Sequence, residues 1–404
     1  MPPTATDPRR PCILLVDDQP IIGEAVRRML VAEDDLGYHY CRDSSVALAM
    51  AADVGPTVIL LDLVMPGIDG LELVRRFRAD GRFADVPIIV LSTKEEAAVK
   101  AEAFQLGAND YIVKLPDRLE LLARVRHHSR GYIALLERNQ AFEALRASRE
   151  ALAEDLASAA RYVRSLLPPP QRLGGATVDW RFVPSAELGG DAFGFHRIDD
   201  HRTAVYLLDV CGHGVGAALL SVSVLTTLRT EALPHTDFLD PGTVLAALNR
   251  AFPMERQNDM FFTIWYGILD SAAGRLRWSG GGHPPALLIP PRRGASPPVH
   301  VLLDSDGPLI GAVDGLEFQS REISVDPGSH LYLYSDGAFE VSRPDGSMWG
   351  FASFLDVMTS PTTPPQRRLD TLRAAITEVT GRDDFADDFS IVAVGTDEKA
   401  DPRP

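Results

Sequence analysis

The stretch VILLDLVMPGIDG, residues 58–70, is the best starting point for working out the fold of the first third of the chain. Its apolar run ends at Asp62, and a turn rich in Gly and Pro follows. A short apolar run closed by turn residues is typical of a strand that is buried on both faces. Asp62 would then lie at the carboxyl edge of a sheet.

Comparable apolar runs occur on both sides of this stretch: CILLV (12–16), PIIVLS (87–92) and DYIVK (110–114). Charged residues spaced for an amphipathic helix follow each run, so residues 11–130 alternate between strand and helix and predict a parallel sheet. Ligands of such sheets gather at the carboxyl ends of the strands. The polar residues found there are Asp17, Asp18, Asp62, Ser92 and Lys114.

These residues predict phosphoryl chemistry at one edge of the sheet. Three carboxylates, Asp17, Asp18 and Asp62, repel one another unless a hard cation such as Mg²⁺ lies among them. A carboxylate beside such an ion can attack phosphorus, which makes Asp62 the candidate phosphorylation site. Lys114 would neutralise the transferring oxygens, and Ser92 would hydrogen-bond the new phosphoryl group. A single aspartate could simply cap a helix, but five residues at matching strand ends argue against that interpretation.

With their spacing, DDQP (17–20), LLDLVMPGIDG (60–70), VLST (90–93) and DYIVK (110–114) resemble the receiver domain of two-component response regulators over residues 11–130. The resemblance implies a flavodoxin-like fold with a five-stranded parallel sheet and a sensor histidine kinase as phosphodonor. It also implies roles for individual residues: Asp62 as phospho-acceptor, Asp17, Asp18, Asp62 and the Val64 carbonyl as Mg²⁺ ligands, Ser92 and Tyr111 as switch residues, and Lys114 as the phosphate-contacting lysine.

Two residues near this site are interpreted differently. Asp69, in GIDG, is assigned to a turn and not to chemistry. The receiver family usually has Pro directly after the lysine, whereas here Leu115 precedes Pro116. We therefore expect a cis peptide bond at this point to be shifted or absent, with the chemistry intact.

The composition changes over residues 131–167, which are rich in Ala, Leu, Glu and Arg. Apolar residues recur in a heptad-like seam: Leu135, Phe142, Leu145, Leu152, Leu156, Ala159, Val163 and Leu166. Arg138 and Arg149 interrupt it. The pattern predicts a helical coiled-coil linker that pairs in a homodimer, and the alternative is a single helix lying on a neighbouring domain. Three prolines from Pro168 onward end the helix.

Residues 168–396 contain short alternating strands separated by Gly, Pro and Asp turns, and two helical stretches near residues 217–229 and 241–252. We predict an α+β β-sandwich with α-β-β-α layers. Four turns at strand ends carry Asp191, Asp209, Asp336 and Asp387. Converging at one edge of a sandwich, such carboxylates can hold two divalent ions that activate a water for hydrolysis of a phosphomonoester.

The motifs LGGDAFGF (188–195), LLDVCGHGVG (207–216), LYSDGAFE (333–340) and DDFSIVAV (387–394) resemble the PPM, or protein phosphatase 2C-like, family. The resemblance is to its bacterial sporulation and stress-response branch, and it is strengthened by SLLPPP (165–170), FFTIWYGILD (261–270) and GGGHPPALL (280–288). It implies a serine/threonine protein phosphatase acting on a phosphorylated anti-sigma-factor antagonist. The implied ligands of two Mn²⁺ or Mg²⁺ ions are Asp191, Asp209, Asp336, Asp387 and the carbonyl oxygen of Val210.

Several positions depart from that pattern. Gly194 stands where the family commonly has a further aspartate, and the adjacent Asp387 and Asp388 could exchange roles. Cys211 replaces the usual Ser and is interpreted as a packing residue. His213 and His283 are too far apart for a zinc motif, so we assign them turn or hydrogen-bonding roles.

The composition limits the possible partners. The 404 residues carry a formal net charge of −16, which argues against nucleic acid or an anionic membrane as the main partner. Three widely spaced cysteines and no leader-like segment indicate a reducing cytoplasm. The sequence predicts a response regulator in which phosphorylation controls a phosphatase. The alternative is a catalytically silent adaptor that binds a sigma or anti-sigma factor under receiver control.

Overall fold

The protein is described from a computed structural model, which covers residues 10–93, 97–185, 188–292, 300–381 and 385–397. The chain forms two compact units, Met1–Glu150 and Ala151–Pro404. In the described part of the chain, no helix combines the length and the apolarity that a bilayer crossing requires.

The N-terminal unit is built around a five-stranded parallel sheet with strand order β2-β1-β3-β4-β5, which confirms the predicted parallel sheet. Its elements are β1 (Cys12–Val16), α1 (Pro20–Leu30), β2 (Gly37–Cys41), α2 (Ala47–Val54), β3 (Val58–Asp62), α3 (Gly70–Ala79), β4 (Ile88–Ser92), α4 (Ala97–Gln105) and β5 (Asp110–Val113).

Every residue of the central strands β1, β3 and β4 is buried, because both faces of the sheet are covered. Alternate residues of a strand enter separate cores. In β3, for example, Ile59 and Leu61 pack in one core, while Val58 and Leu60 pack in the other. The edge strand β2 has the sequence GYHYC and is mostly half-buried. It therefore lacks the apolar run that indicated the other strands.

One helix, α5 (Arg118–Leu166), runs for 49 residues without interruption. Its first turns bury Leu121, Leu122 and Val125 in the N-terminal unit. The predicted linker boundary at residue 131 is therefore not a break in the helix. The middle of α5 leaves Phe142, Leu145 and Leu152 about 60% exposed, and the helix ends at Leu166, just before the three prolines.

The C-terminal unit contains two antiparallel sheets with strand orders β14-β11-β10-β9-β8 and β13-β12-β15-β16-β7-β6. Its strands and helices are β6 (Gln171–Leu173), β7 (Ala176–Val183), β8 (Ala192–Arg197), β9 (Arg202–Val210), α6 (Val215–Arg229), α7 (Pro241–Ala251), β10 (Phe262–Asp270), β11 (Arg275–Gly281), β12 (Ala286–Ile289), β13 (Val301–Leu303), β14 (Arg321–Ser324), β15 (His330–Tyr334), α8 (Gly350–Thr359), α9 (Arg368–Thr380) and β16 (Phe389–Thr396).

The alternation of side chains along β15 shows how this unit is packed. Leu331 and Leu333 belong to a core shared with β9 and β10 of the other sheet. Tyr332 and Tyr334 belong to a second core that includes residues of α8 and α9. The six-stranded sheet therefore packs on the five-stranded sheet with one face and on two helices with the other.

Helices α8 and α9 were not predicted from the sequence. In α9 the buried residues Leu369, Leu372 and Ile376 recur at helical spacing, and this signal could have identified the helix. The two helices that were predicted, α6 and α7, lie within two residues of the expected bounds.

Candidate functional site

The carboxyl edge of the N-terminal sheet brings the three predicted carboxylates together. Asp17 follows β1 and Asp62 ends β3, and these two strands pair directly. One carboxylate oxygen from each of Asp17, Asp18 and Asp62 lies within 4.8 Å of the others. Asp17 and Asp62 are buried, and the Oδ1 atom of Asp18 is buried without a hydrogen-bond partner among the described residues.

Lys114, at the end of β5, ties two of these carboxylates together. Its Nζ atom lies 2.8 Å from Asp17 Oδ2 and 2.7 Å from Asp62 Oδ2, with the lysine side chain only 4% exposed. Burial works to lower the pKa of Lys114, but the bonds to Asp17 and Asp62 hold it above its ordinary value. Burial raises the pKa of Asp17, against the effect of Lys114. Lys114 thus supplies one positive charge to a site with three acids.

The remaining predicted residues of this edge lie at neighbouring strands. Ser92 is buried at the end of β4, and its carbonyl accepts a hydrogen bond from the Lys114 amide at 2.9 Å. Tyr111, on β5, is 8% exposed, and the Lys100 ammonium lies 4.7 Å from its ring centroid. The peptide bond between Lys114 and Leu115 is cis, so the expectation that a cis bond would be shifted or absent is wrong.

The turn after Asp62 is fixed by backbone contacts. The Val64 amide donates to Asp62 Oδ1 at 3.3 Å, while the Val64 side chain is 66% exposed. Asp69 caps α3 by accepting from the Leu71 amide at 3.4 Å, as expected for a turn residue. A Cβ atom at Gly70 would lie 2.2 Å from the Asp62 carbonyl oxygen, so only glycine fits there.

In the C-terminal unit, Asp191 immediately precedes β8, and the β8–β9 register extended by one residue places it opposite Asp209 on β9. The β8–β9 register pairs Ala192 with Leu208, and the Val210 amide donates to the Gly190 carbonyl at 3.4 Å. This pairing places the two carboxylates on the same face of the sheet. A Cβ atom at Gly190 would lie 2.5 Å from the Val210 carbonyl oxygen, so any larger residue would clash with that oxygen.

The second pair of acids comes from the other sheet. Asp336 follows β15 and Asp387 precedes β16, and these strands are paired in register Tyr334 to Ile391. A Cβ atom at Gly337 would lie 2.2 Å from the Asp388 carbonyl oxygen, which shows how closely the two turns approach.

These carboxylates are crowded enough to shift one another's titration. Burial, and after it repulsion from Asp209 and Asp388, raises the pKa of Asp191 well above its ordinary value. Burial, and after it repulsion from Asp336 and Asp387, raises the pKa of Asp209 to about 7. The pKa of Asp336 is also raised, by burial, by Asp387 and by Glu340. Glu340 is a nearby acid that the sequence interpretation missed.

Asp387 and Asp388 have different environments. Asp388 is 4% exposed, and its Oδ1 atom accepts from the amide and hydroxyl of Ser185 at 2.8 and 2.9 Å. Its Oδ2 atom accepts from the Asp191 amide at 3.2 Å. Asp387 is exposed, and its Oδ1 atom accepts from the Asp388 amide at 2.8 Å. The Asp388 carboxylate thus accepts hydrogen bonds from protein groups, whereas Asp387 is open to solvent.

Of the described residues, only Asp17, Asp18 and Asp62 bring three ligand oxygens within 4.8 Å of one another. In the C-terminal unit, a cation would compensate the buried Asp191 carboxylate. Neither carboxylate oxygen of Asp191 has a hydrogen-bond partner of good geometry among the described residues, although both are buried. Buried oxygens of this kind, next to a second carboxylate, are stabilised by a proton or by a metal ion. Hard oxygen ligands are those that Mg²⁺ and Mn²⁺ prefer.

The positions that depart from the PPM pattern have structural explanations. A Cβ atom at Gly194 would lie 2.6 Å from the Tyr206 ring, so an aspartate has no room there. The Cys211 Sγ atom accepts from the Phe261 amide at 3.3 Å, which agrees with a packing role. His213 is exposed, and His283 is buried with its Nδ1 atom 2.8 Å from Thr263 Oγ1.

Two families match this chain in separate regions. Residues 13–126 match the response regulator receiver domain, and residues 199–397 match stage II sporulation protein E (SpoIIE). The chain thus combines a region that matches the response regulator receiver domain with a region that matches the SpoIIE family of PPM-type phosphatases. The receiver match contains Asp62, and the SpoIIE match contains Asp209, Asp336 and Asp387, whereas Asp191 lies just before its first residue.

The curated relatives agree with this division. The phosphoserine phosphatase RsbP of Bacillus subtilis (strain 168) is 34% identical over 188 residues, which are 46% of this chain and 44% of RsbP. The phosphate regulon transcriptional regulatory protein PhoB of Pseudomonas aeruginosa is 39% identical over 116 residues, which are 28% of this chain and 49% of PhoB. The chain thus spans about half the length of the curated relatives it matches.

A solved structure supports the fold of the output domain. The SiaA-PP2C domain of Pseudomonas aeruginosa superposes with a TM-score of 0.52 at 19% identity, covering 62% of this chain and 99% of that domain. At this identity the likeness concerns the fold alone.

Proposed function

We propose that this response regulator is a metal-dependent serine/threonine protein phosphatase whose activity is controlled by phosphorylation of Asp62. The main support is the approach of Asp191 and Asp209 from one sheet to Asp336 and Asp387 from the other, where burial and mutual repulsion raise the pKa of Asp191, Asp209 and Asp336. Repulsion among these acids has no structural benefit unless cations compensate it.

In this proposal the four aspartates and the Val210 carbonyl hold two Mn²⁺ or Mg²⁺ ions. Such ions lower the pKa of a water molecule and stabilise the charge on phosphoryl oxygens. Asp388 holds the Asp191 amide and Ser185 in place, so the loop before β8 is anchored to the turn before β16. The backbone of this region is therefore organised before the substrate arrives.

In the receiver domain we propose that Asp62 accepts the phosphoryl group from a sensor histidine kinase. Asp17, Asp18, Asp62 and the Val64 carbonyl would hold Mg²⁺. Lys114, which already contacts Asp62, would follow the new phosphoryl group with its charge, and Ser92 and Tyr111 would change position in response.

The partners are also proposals. The name of the relative RsbP, a phosphoserine phosphatase, supports a phosphoserine substrate, and we propose a phosphorylated anti-sigma-factor antagonist. The exposed apolar side chains of α5, such as Phe142, Leu145 and Leu152, support homodimer formation through this helix. The three free cysteines are compatible with the reducing cytoplasm that we propose.

The test is hydrolysis of an aryl phosphate and of a phosphoserine peptide by the full chain with Mn²⁺. Asp209→Asn should lower the rate by more than about 100-fold, beyond the 10- to 100-fold loss typical of groups that only orient metal ligands. The matched control is Asp199→Asn, at an exposed acid that pairs with Arg202 at the β8–β9 turn. Equal rates in wild type and Asp209→Asn would contradict the proposal, and binding of a sigma regulator without turnover would favour the adaptor alternative.

A further inference from the structure

His283 lies in the loop between β11 and β12, close to the strands that carry the metal-binding aspartates. Its side chain is 4% exposed, and its Nδ1 atom lies 2.8 Å from Thr263 Oγ1 on β10. The His283 amide donates to Ser305 Oγ at 3.2 Å. The imidazole is therefore held at a fixed position inside the C-terminal unit.

Thr263 connects His283 to the first sheet. The β9–β10 register places Thr263 directly opposite Asp209. Directly opposed residues of antiparallel strands project from the same face, with Cβ atoms about 4.5–5.5 Å apart. Asp191, Asp209 and Thr263 thus form a row across β8, β9 and β10, and His283 is bonded to the end of that row.

The other side of the imidazole faces the second sheet. Its Nε2 atom is buried, and the ring lies near the backbone of Tyr334. Tyr334 ends β15, two residues before Asp336, and its hydroxyl donates to the Pro285 carbonyl at 2.5 Å. The His283–Pro285 segment is thus attached to the strand that leads into Asp336.

The ring can serve both neighbours because it is neutral. Burial lowers the pKa of His283 to about 3. A neutral imidazole has one nitrogen that accepts and one that donates. When Nδ1 accepts from the Thr263 hydroxyl, the ring proton lies on Nε2.

We propose that His283 is a positioning residue that sets the spacing between the Asp209 strand of one sheet and the Asp336 strand of the other. The inference rests on the proposed metal-binding function of these aspartates. Metal ions held between two sheets need a fixed separation of their ligands, because ligand distances vary by only a few tenths of an ångström. Through Thr263 on one side and Tyr334 on the other, His283 connects both strands within a few residues of the ligands.

The experiment measures Mn²⁺ affinity by titration calorimetry on the full chain. All proteins carry Asp17→Asn and Asp18→Asn, so that the receiver site does not contribute. His283→Ala should weaken Mn²⁺ binding by roughly 10- to 100-fold. The matched control is His330→Ala, at a half-buried histidine that stacks on Tyr332 at the opposite end of β15 from Asp336. This control should keep the parental Mn²⁺ affinity even if it lowers the melting temperature.

Two further variants separate positioning from general stability. His283→Gln retains a donor and an acceptor and should recover part of the affinity lost in His283→Ala. Thr263→Val removes only the hydroxyl partner and should weaken Mn²⁺ binding in the same direction. If the residues act through each other, the double variant Thr263→Val/His283→Ala should lose less than the sum of the single losses.

Parental Mn²⁺ affinity in folded His283→Ala and Thr263→Val proteins would overturn the inference. If His283→Ala does not fold, Thr263→Val decides, because it is close in shape to the native residue. Failure of the parental chain itself to bind Mn²⁺ would instead overturn the proposed function, so the two failures are distinguishable.

Discussion

At the scale of single residues, adjacent side chains of the same type perform different tasks here. Asp388 accepts three hydrogen bonds from Ser185 and Asp191, whereas the neighbouring Asp387 is exposed. The difference follows from their surroundings in the turn before β16, where Asp388 is buried against Ser185 and Asp191 and Asp387 faces outward. Gly189 makes this possible, because a Cβ atom there would lie 2.1 Å from Asp388 Oδ2.

The two aspartates should therefore respond differently to the same substitution. Asp387→Asn should abolish Mn²⁺-dependent activity with little change in melting temperature, because the carboxylate makes few protein contacts. Asp388→Asn should lower the free energy of unfolding by about 1.5–3 kcal/mol, the range for a hydrogen bond to a charged group. Thermal unfolding with chelator and aryl phosphate hydrolysis with Mn²⁺ measure the two effects. If Asp388 were the metal ligand instead of Asp387, Asp388→Asn would lose activity without losing stability, and this outcome would contradict the prediction.

At the scale of helices and strands, the sequence was most informative where structure is local. The apolar runs of β1, β3 and β4 predicted a parallel sheet, and parallel strands end at one edge, so Asp17, Asp62 and Lys114 were expected to meet. The distinct role of Asp388 could not be predicted, because it depends on Ser185, which lies 203 residues away in sequence. The bond between His283 and Thr263 depends in the same way on the register of two strands.

The helix α5 shows that a change in amino-acid composition does not always mark the end of a secondary-structure element. The change at residue 131 suggested a separate linker, yet helical residues continue from Arg118 through that point. A helix does not need uniform composition, because its first turns are stabilised by packing in the N-terminal unit and its later turns by helix propensity. One continuous helix can in principle carry a rotation from the receiver to the output domain.

Because α5 is continuous, its two ends should have a fixed rotational orientation relative to each other. One residue inserted after Ala147 rotates the following part of the helix by about 100° relative to the part before it. We expect the insertion to remove the effect of receiver phosphorylation on phosphatase activity. Seven inserted residues bring the following part of the helix back to within about 20° of its original orientation. This variant is the matched control and should restore the effect of receiver phosphorylation. The measurement is the ratio of rates with and without beryllofluoride. An unchanged ratio after the single insertion would contradict transmission through a rigid helix.

At the scale of the whole molecule, two acidic sites of opposite chemistry are joined in one chain. The receiver site gathers Asp17, Asp18 and Asp62, and Lys114 pairs with two of them. In the C-terminal unit, burial and neighbouring acids raise the pKa of Asp191, Asp209 and Asp336. In the function that we propose, one site accepts a phosphoryl group and the other removes one. The net charge of −16 adds to the preference of both for cations.

Coupling between the two sites is the last prediction. Beryllofluoride with Mg²⁺ mimics a phosphoryl group on Asp62, so it should change the Mn²⁺-dependent rate of hydrolysis of a phosphoserine peptide by the wild-type chain. Either direction of change supports control by the receiver, because a ligand that binds one conformation more tightly shifts the population. Asp62→Asn should abolish the effect while leaving the basal rate intact, since Asp62 belongs to the other site. Asp69→Asn, at the nearby helix cap, is the control and should keep the effect. An identical response in wild type and Asp62→Asn would show that beryllofluoride acts at the output domain instead.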